Sequence, residues 1–311
     1  MLRHLYQEWL ISVLRLTQSQ TLRTVFVVVI IFGMISSSIC WVELHAGWLL
    51  FRIPSNIFTL LGIALSVLLA FRTNTAYDRW WEGRKLWGML INTSRNISLY
   101  IEGRFPHHHQ EKIVFVGHLT NFAFLLKDAL QNSFRYEKLL VLSEEKISEL
   151  KLIAHKPNYI LQELFSYMFE LRRQSVIDDH DVRNLKDLLT NLTDICGSCE
   201  RIHNTPIPFS YSVYIRLFVT LYCMLLPFGL VAEYGYYTIP LVMFVAFAMV
   251  GLEMLAQEVE DPFNGDEYDL PLHEYARTIR NSTHSIVQIP DPAFHPKEYR
   301  EFCINAPNHT P

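Results

Sequence analysis

The chain has 311 residues, half of them hydrophobic and only 19% charged, below the roughly 25% of an ordinary soluble domain. Lys plus Arg number 27 against 31 Asp plus Glu, a formal charge of −4, so no basic field invites nucleic acid. Five scattered cysteines make no secreted disulfide framework, and the hydrophobic content excludes a disordered chain.

The charge is absent in four places. Thr24–Val42 holds 19 residues without a charge, Ile53–Phe71 another 19, and Tyr234–Leu252 another 19. The run from Tyr211 to Ala232 carries Arg216 as its one charge. About 20 apolar residues cross the hydrocarbon core as a helix. Four transmembrane helices are therefore expected, over 24–42, 53–75, 211–232 and 234–256. The first is longer than a signal-peptide core, and Cys40-Trp41-Val42 is no small-residue cleavage site, so it reads as a mature helix. Arg3, Arg15 and Arg23 precede the first segment, and Arg72, Arg79, Arg84 and Lys85 follow the second. The turn at Glu233–Gly235 has no Lys or Arg, so both termini and the long middle segment are expected on the cytoplasmic side. Trp41, Trp48, Tyr234, Tyr236 and Tyr237 fit an aromatic belt at the outer interface. Arg216 and Glu253 each lie in or near a span, where an ionisable group needs a partner. Antiparallel third and fourth helices could pair them.

Residues 92–205 read as a helical cytoplasmic insert. Phe115, Leu119, Phe122, Leu126 and Leu130 recur at spacings of three and four, one helical face. Ser143-Glu144-Glu145 opens another helix, and Val182, Leu185, Leu189 and Leu192 stripe a third, entered from Asp178-Asp179. No strand alternation is visible. The proline-rich tail, 282–311, is expected to be extended, and there is no internal repeat of the inverted-transporter kind. The whole of 1–311 reads as one all-α membrane domain.

Little in the chain carries enzymatic chemistry. Cys196 and Cys199 have CxxC spacing, but one pair is too few for a four-ligand zinc site and no strand precedes it. His107-His108-His109 follows Pro106, where a solvated loop is the plainer reading. No GxSxG, HExxH or P-loop occurs. The chain is read as not an enzyme. The alternative is a membrane-embedded enzyme or metal-handling protein using the His107–His109 run and the two cysteines.

The second apolar segment is the informative one. Ile63, Val67 and Phe71 fall at i, i+4 and i+8 on one helical face, with Gly62, Ala64, Ser66 and Ala70 among them. Asp78 continues the stripe seven residues on, as a candidate for a vestibule wall or for pairing with Arg79.

Here the sequence resembles a family. Phe71-Arg72-Thr73-Asn74-Thr75-Ala76-Tyr77-Asp78-Arg79-Trp80-Trp81-Glu82 is similar to the signature after the second helix of bestrophins. Cys199-Glu200-Arg201-Ile202 with Thr205-Pro206-Ile207-Pro208-Phe209, then Leu226-Pro227-Phe228-Gly229, resemble the start and middle of their third helix. Glu260-Asp261-Pro262-Phe263 with Asp266 and Asp269 resembles the stretch after the fourth. The likeness is nearest to the prokaryotic branch.

The resemblance implies a homopentameric channel for small monovalent ions in the inner plasma membrane. Its partners are four further copies of the chain, the lipid bilayer and the permeant ions. The pore neck would be Ile63, Val67 and Phe71. The cytoplasmic aperture would be His180 or, one turn back, Ile177. Much of the family conducts chloride; the Asp78 position and the prokaryotic branch tilt the expectation here toward cations. Eukaryotic members clasp calcium with an acidic run, broken here to Asp266-Glu267-Tyr268-Asp269. Asp266 and Asp269 are then metal candidates, but capping is the favoured role and no cofactor is expected.

Overall fold

The structure is a computed structural model and describes residues 20–46, 53–106, 109–136, 139–266 and 269–289. All the regular elements among them are helices. The chain divides into two compact units, one from residues 1–79 and 206–261, the other from 80–205 and 262–311.

The first unit holds α1 (Gln20–Ala46), the opening half of α2 (Ser55–Arg104), α7 (Phe209–Tyr234) and α8 (Thr238–Glu260). Prolines mark the starts. Pro54 and Pro208 stand immediately before α2 and α7, and Pro240 lies in the first turn of α8, where a missing N–H costs nothing. Gly235 ends α7 at φ +51°, the left-handed conformation that glycine adopts without strain, and a single 3-10 turn leads into α8. α1 runs antiparallel to α8. Thr21 Oγ1 donates to Glu258 Oε1 at 2.9 Å, Phe26 meets Phe247, and Cys40 lies against Gly235.

The core of this unit takes Val25, Val29 and Phe32 from α1, Leu65 and Leu69 from α2, Ile215, Val219 and Cys223 from α7, and Ala246 from α8. Glycines let the helices close up: a Cβ on Gly62 would meet the Tyr222 hydroxyl, and one on Gly229 would collide with the Phe58 ring. The outward faces stay apolar. Phe26, Met34, Phe218, Phe244 and Leu255 are all exposed, a surface suited to hydrocarbon and not to water. Trp41, Tyr234, Tyr236 and Tyr237 are exposed together at one end, with Tyr236 Oη 3.2 Å from His45 Nδ1. Trp48 lies outside the described residues.

Among the described residues, four stretches are long and apolar enough to span a membrane, though one of them is not among the four expected. α3 (His109–Leu130) qualifies by length and composition, but 83% of its apolar window is buried, against 22–33% in the other stretches. It is a core helix of the second unit. The remaining long stretch, Phe209–Glu260, contains both α7 and α8, so the four expected spans each have a helix.

The second unit packs the rest of α2, α3, α4 (Glu144–Leu152), α5 (Lys156–Arg173), α6 (Asp179–Asn204) and α9 (Leu272–Ile286). Phe115, Leu119, Phe122, Leu126 and Leu130 are all buried, as are Leu185, Leu189 and Leu192. α2 reaches Arg104 because no proline interrupts it before Pro106. The tail reading needs correction. Residues 282–286 complete α9, with Thr283 and His284 buried, because the first helix-breaking proline is Pro290. Residues 290–311 lie outside the described set.

Gly229→Val should lower the unfolding midpoint in detergent, by an overpacking cost of about 1–3 kcal/mol. Adding Phe58→Ala should recover part of that loss. Equal midpoints for the single and double variants would show that the Phe58 ring is not the obstacle.

Candidate functional site

The stripe on α2 separates cleanly from the packed side of the same helix. Ile63, Val67 and Phe71 are 60%, 49% and 61% exposed, whereas Leu65 and Leu69 are 6% and 1% exposed. Of the small residues among them, Gly62 is approached closely by the Tyr222 hydroxyl; Ala64, Ser66 and Ala70 are exposed. The stripe continues through exposed Asn74 to exposed Asp78. Asp78 forms no ion pair with any described residue. Its neighbour Arg79 turns away and donates from Nε to the Glu260 carbonyl at 2.9 Å.

The residue beside Phe71 holds the helix in place. Arg72 is fully buried, and its Nη2 lies 2.5 Å from Glu260 Oε2. The other carboxylate oxygen of Glu260 accepts the Ile207 backbone N–H at 3.0 Å. One side chain at the end of α8 thus ties α2 to the lead-in of α7. The Nε and Nη1 of Arg72 have no hydrogen-bond partner among the described residues. A single bonded nitrogen on a buried guanidinium makes its carboxylate partner hard to replace. This latch is absent from the sequence reading, although a lone arginine next to an apolar run and a glutamate closing another were the available signal.

Arg216 and Glu253 do pair. Arg216 Nε donates to Glu253 Oε1 at 2.8 Å, with the carboxylate side chain 6% exposed. Seven residues separate Glu253 from the end of α8, and seven separate Arg216 from the start of α7, so antiparallel helices bring them level.

In the second unit, the start of α6 is fastened with care. Asp178 caps it, accepting the N–H groups of His180 and Asp181 at 2.8 and 2.9 Å, and the Asp181 side chain returns to the Asp178 N–H. Tyr100 Oη and Arg104 Nε, from the end of α2, donate to Asp181 at 2.7 and 2.8 Å. Burial works to raise the Asp181 carboxyl, but these hydrogen bonds outweigh it and hold it below the usual carboxylate range. His180 therefore projects from a rigid helix start. Its ring is exposed, with Nδ1 accepting from Arg183 Nη2 at 3.0 Å. Ile177 is 2% exposed and belongs to the core, so the two aperture candidates have opposite surroundings.

The remaining candidates gather no ligand set. Asp269 Oδ2 accepts the backbone N–H groups of Gly265 and Asp266, each at 2.8 Å, and so shapes the loop at Gly265, whose φ is +93°. The described carboxylates fall well short of the six to eight oxygens of a calcium ion and do not fit one. Among the described residues, no three His, Cys, Asp or Glu side chains converge as metal ligands. Cys196 and Cys199 are buried free thiols on α6. Burial pushes both up, Cys199 to about 12, and so disfavours the reactive thiolate. His107 and His108 lie outside the described residues.

A family model described as "Bacterial/Fungal Bestrophin protein" matches residues 1–285. A voltage-dependent anion channel-forming protein of Synechocystis is 34% identical over 255 residues, 80% of this chain and 83% of that protein. One of the same description from Escherichia coli K12 is 32% identical over 223 residues, 71% of this chain and 73% of that protein. The crystal structure of a bacterial bestrophin homologue from Klebsiella pneumoniae superposes with a TM-score of 0.79 at 28% identity, covering 86% of this chain and 98% of that one.

Glu260→Gln keeps an acceptor for the Ile207 N–H but leaves Arg72 buried without its counter-charge. Breaking such a pair should cost about 3–5 kcal/mol, read as a lowered unfolding midpoint. Arg72→Met combined with Glu260→Gln should lose less than Glu260→Gln alone. A double variant as unstable as the single one would count against the latch.

Proposed function

This chain belongs to the bacterial and fungal bestrophin family, and on that premise we propose that it forms a multi-copy ion channel whose neck is lined by α2. The observation that carries the reading is the exposed stripe of Ile63, Val67 and Phe71 on a helix whose other side is packed. The same stripe runs on into Asn74 and Asp78, polar groups suited to a water-filled vestibule and not to lipid. Exposed Ala64, Ser66 and Ala70 would let α2 helices of neighbouring copies approach closely. Five copies, an inner-membrane location and cytoplasmic termini complete the proposal, the first by resemblance and the orientation by the Lys and Arg bias. The neck gates by dewetting: a narrow apolar ring excludes water until a small widening admits it.

The second constriction in this reading is His180, because Ile177 has its side chain in the core. The Arg183 guanidinium on its Nδ1 sets a permanent positive charge beside that ring. That charge, and relatives named as anion channel-forming, support anion conduction in this chain. Cation conduction is the second reading, and the exposed Asp78, with no ion pair among the described residues, is the observation that favours it.

Currents from purified protein in planar bilayers test both. Ile63→Ala, Val67→Ala and Phe71→Ala together should raise conductance or open probability while the oligomer persists. Unchanged currents would falsify the neck. In asymmetric salt, the reversal potential should lie toward the anion equilibrium value. A reversal on the cation side that Asp78→Asn shifts back would make the second reading the right one.

An aperture built of His180 sets a polar ring, with the Arg183 guanidinium against it, on the permeation path. The charged neighbours on its own helix start are Asp178, Asp179, Asp181 and Arg183. His180→Ile should therefore shift the reversal potential in asymmetric salt and change the single-channel conductance. Identical reversal potentials and conductances in the two proteins would remove His180 from the pore.

A further inference from the structure

In the second unit, one side of α3 is closed over by a short segment of chain. Asn121 of α3 holds residue 140 by both of its backbone groups: Nδ2 donates to the Leu140 carbonyl at 2.6 Å, and Oδ1 accepts the Leu140 N–H at 2.8 Å. The next residue, Val141, lies so near Gly117 that a Cβ there would stand 2.5 Å from the valine Cγ2. Val141 holds φ at +51°, a left-handed conformation that β-branched residues rarely adopt. α4 follows and is lightly held. Leu150 is its one buried residue, and Leu152 is 90% exposed. Its ties to α5 include the Lys146–Glu163 ion pair and a hydrogen bond from Tyr159 Oη to Glu149 at 3.0 Å.

His118 lies on the same side of α3, between Gly117 and Asn121 in the helical turn, and is 5% exposed. A carbonyl can only accept, so Nδ1, 2.8 Å from the Val114 oxygen, carries the ring proton. Nε2 is then a bare acceptor, buried and with no hydrogen-bond partner among the described residues. For a neutral imidazole the cost is one missing hydrogen bond. An imidazolium would bury a charge together with an unmet donor. Among the described residues, the charged groups that act on the ring are Glu163 of α5 and Lys146 of α4, and these two are paired with each other. Burial outweighs them and pushes the imidazole below its usual value of about 6.5.

We propose that residues 139–152 form a pH-operated flap over α3, closed on neutral His118 and released when that ring takes a proton. The direction follows from where the proton binds better. The open flap returns His118 to water and to its ordinary proton affinity, whereas the closed flap withholds it, so falling pH favours the open form. Closure is complete above the open-form value of about 6.5 and weakens below it by up to about tenfold per pH unit, the limit for one linked proton. The device belongs to the packing of the second unit and holds whether or not the chain conducts.

Hydrogen–deuterium exchange of the purified full-length protein in detergent tests the flap, read by mass spectrometry from about pH 7.5 to about pH 5 and corrected for intrinsic rates. Peptides within 139–152 should lose protection severalfold to about tenfold per pH unit below about pH 6.5, while those of 185–195 in α6 keep theirs. His118→Gln and His118→Phe cannot titrate, and in either one the protection of 139–152 should be flat with pH. Asn121→Ala should lower the protection of the flap at every pH and leave the slope in place. If 139–152 and 185–195 lose protection together, acid unfolds the whole unit and there is no flap. Protection of 139–152 that ignores pH in the wild type, or that falls equally in the His118 variants, overturns the proposal.

Discussion

Hydrocarbon accepts no hydrogen bonds, and the arrangement of the first unit follows from that constraint. Backbone groups are satisfied within long helices, which leaves the ionisable side chains to be dealt with one by one. Arg216 finds Glu253 across antiparallel helices, and Arg72 finds Glu260 at the helix end. Both partners come from α8. That helix is thus the shared acceptor for the cations of α2 and α7, and Glu260 also takes the Ile207 N–H and, through its carbonyl, Arg79. A side chain with so many dependants sets where α2 stands.

Fixing α2 matters because its two sides have different tasks. Leu65 and Leu69 lock it into its own unit, and Ile63, Val67 and Phe71 are left for something outside the chain. Rigidity on one side is what makes the other usable. On the proposed reading α2 bears a dewetting gate, which responds to small changes in radius and so needs a helix held to a similar tolerance. The same logic recurs in the second unit. There Tyr100 and Arg104 hold Asp181, Asp181 closes the cap with Asp178, and His180 projects from the fixed helix start.

The two candidate constrictions carry charges of opposite sign nearby. Asp78 lies on the exposed α2 stripe and Arg183 touches His180. Rings of fixed charge concentrate counter-ions in proportion to their proximity to the axis and to the exclusion of screening salt. In the proposed channel, selectivity is a balance of two local fields. The proposed neck, being neutral and apolar, would set access and not sign.

The sequence by itself determined a good deal. Four uncharged stretches, the buried faces of α3 and α6, the Ile63–Val67–Phe71 stripe and the Arg216–Glu253 pair were all legible. Hydrophobicity sums along a segment and helical periodicity is local, so neither needs a partner to be read. The Asp269 contacts are equally local, since its side chain accepts the N–H groups of residues four and three before it. Tertiary structure alone decided the rest. It placed α3 in a protein core although its composition would suit a membrane, because only packing distinguishes lipid from protein as an apolar surround. It carried α9 through the start of the supposed extended tail, where the apolar face of Ile279 and Thr283 had neighbours to meet. It also made the Arg72–Glu260 latch, whose members are 188 residues apart. Such a contact has no period and no motif; it exists only once the helices have packed.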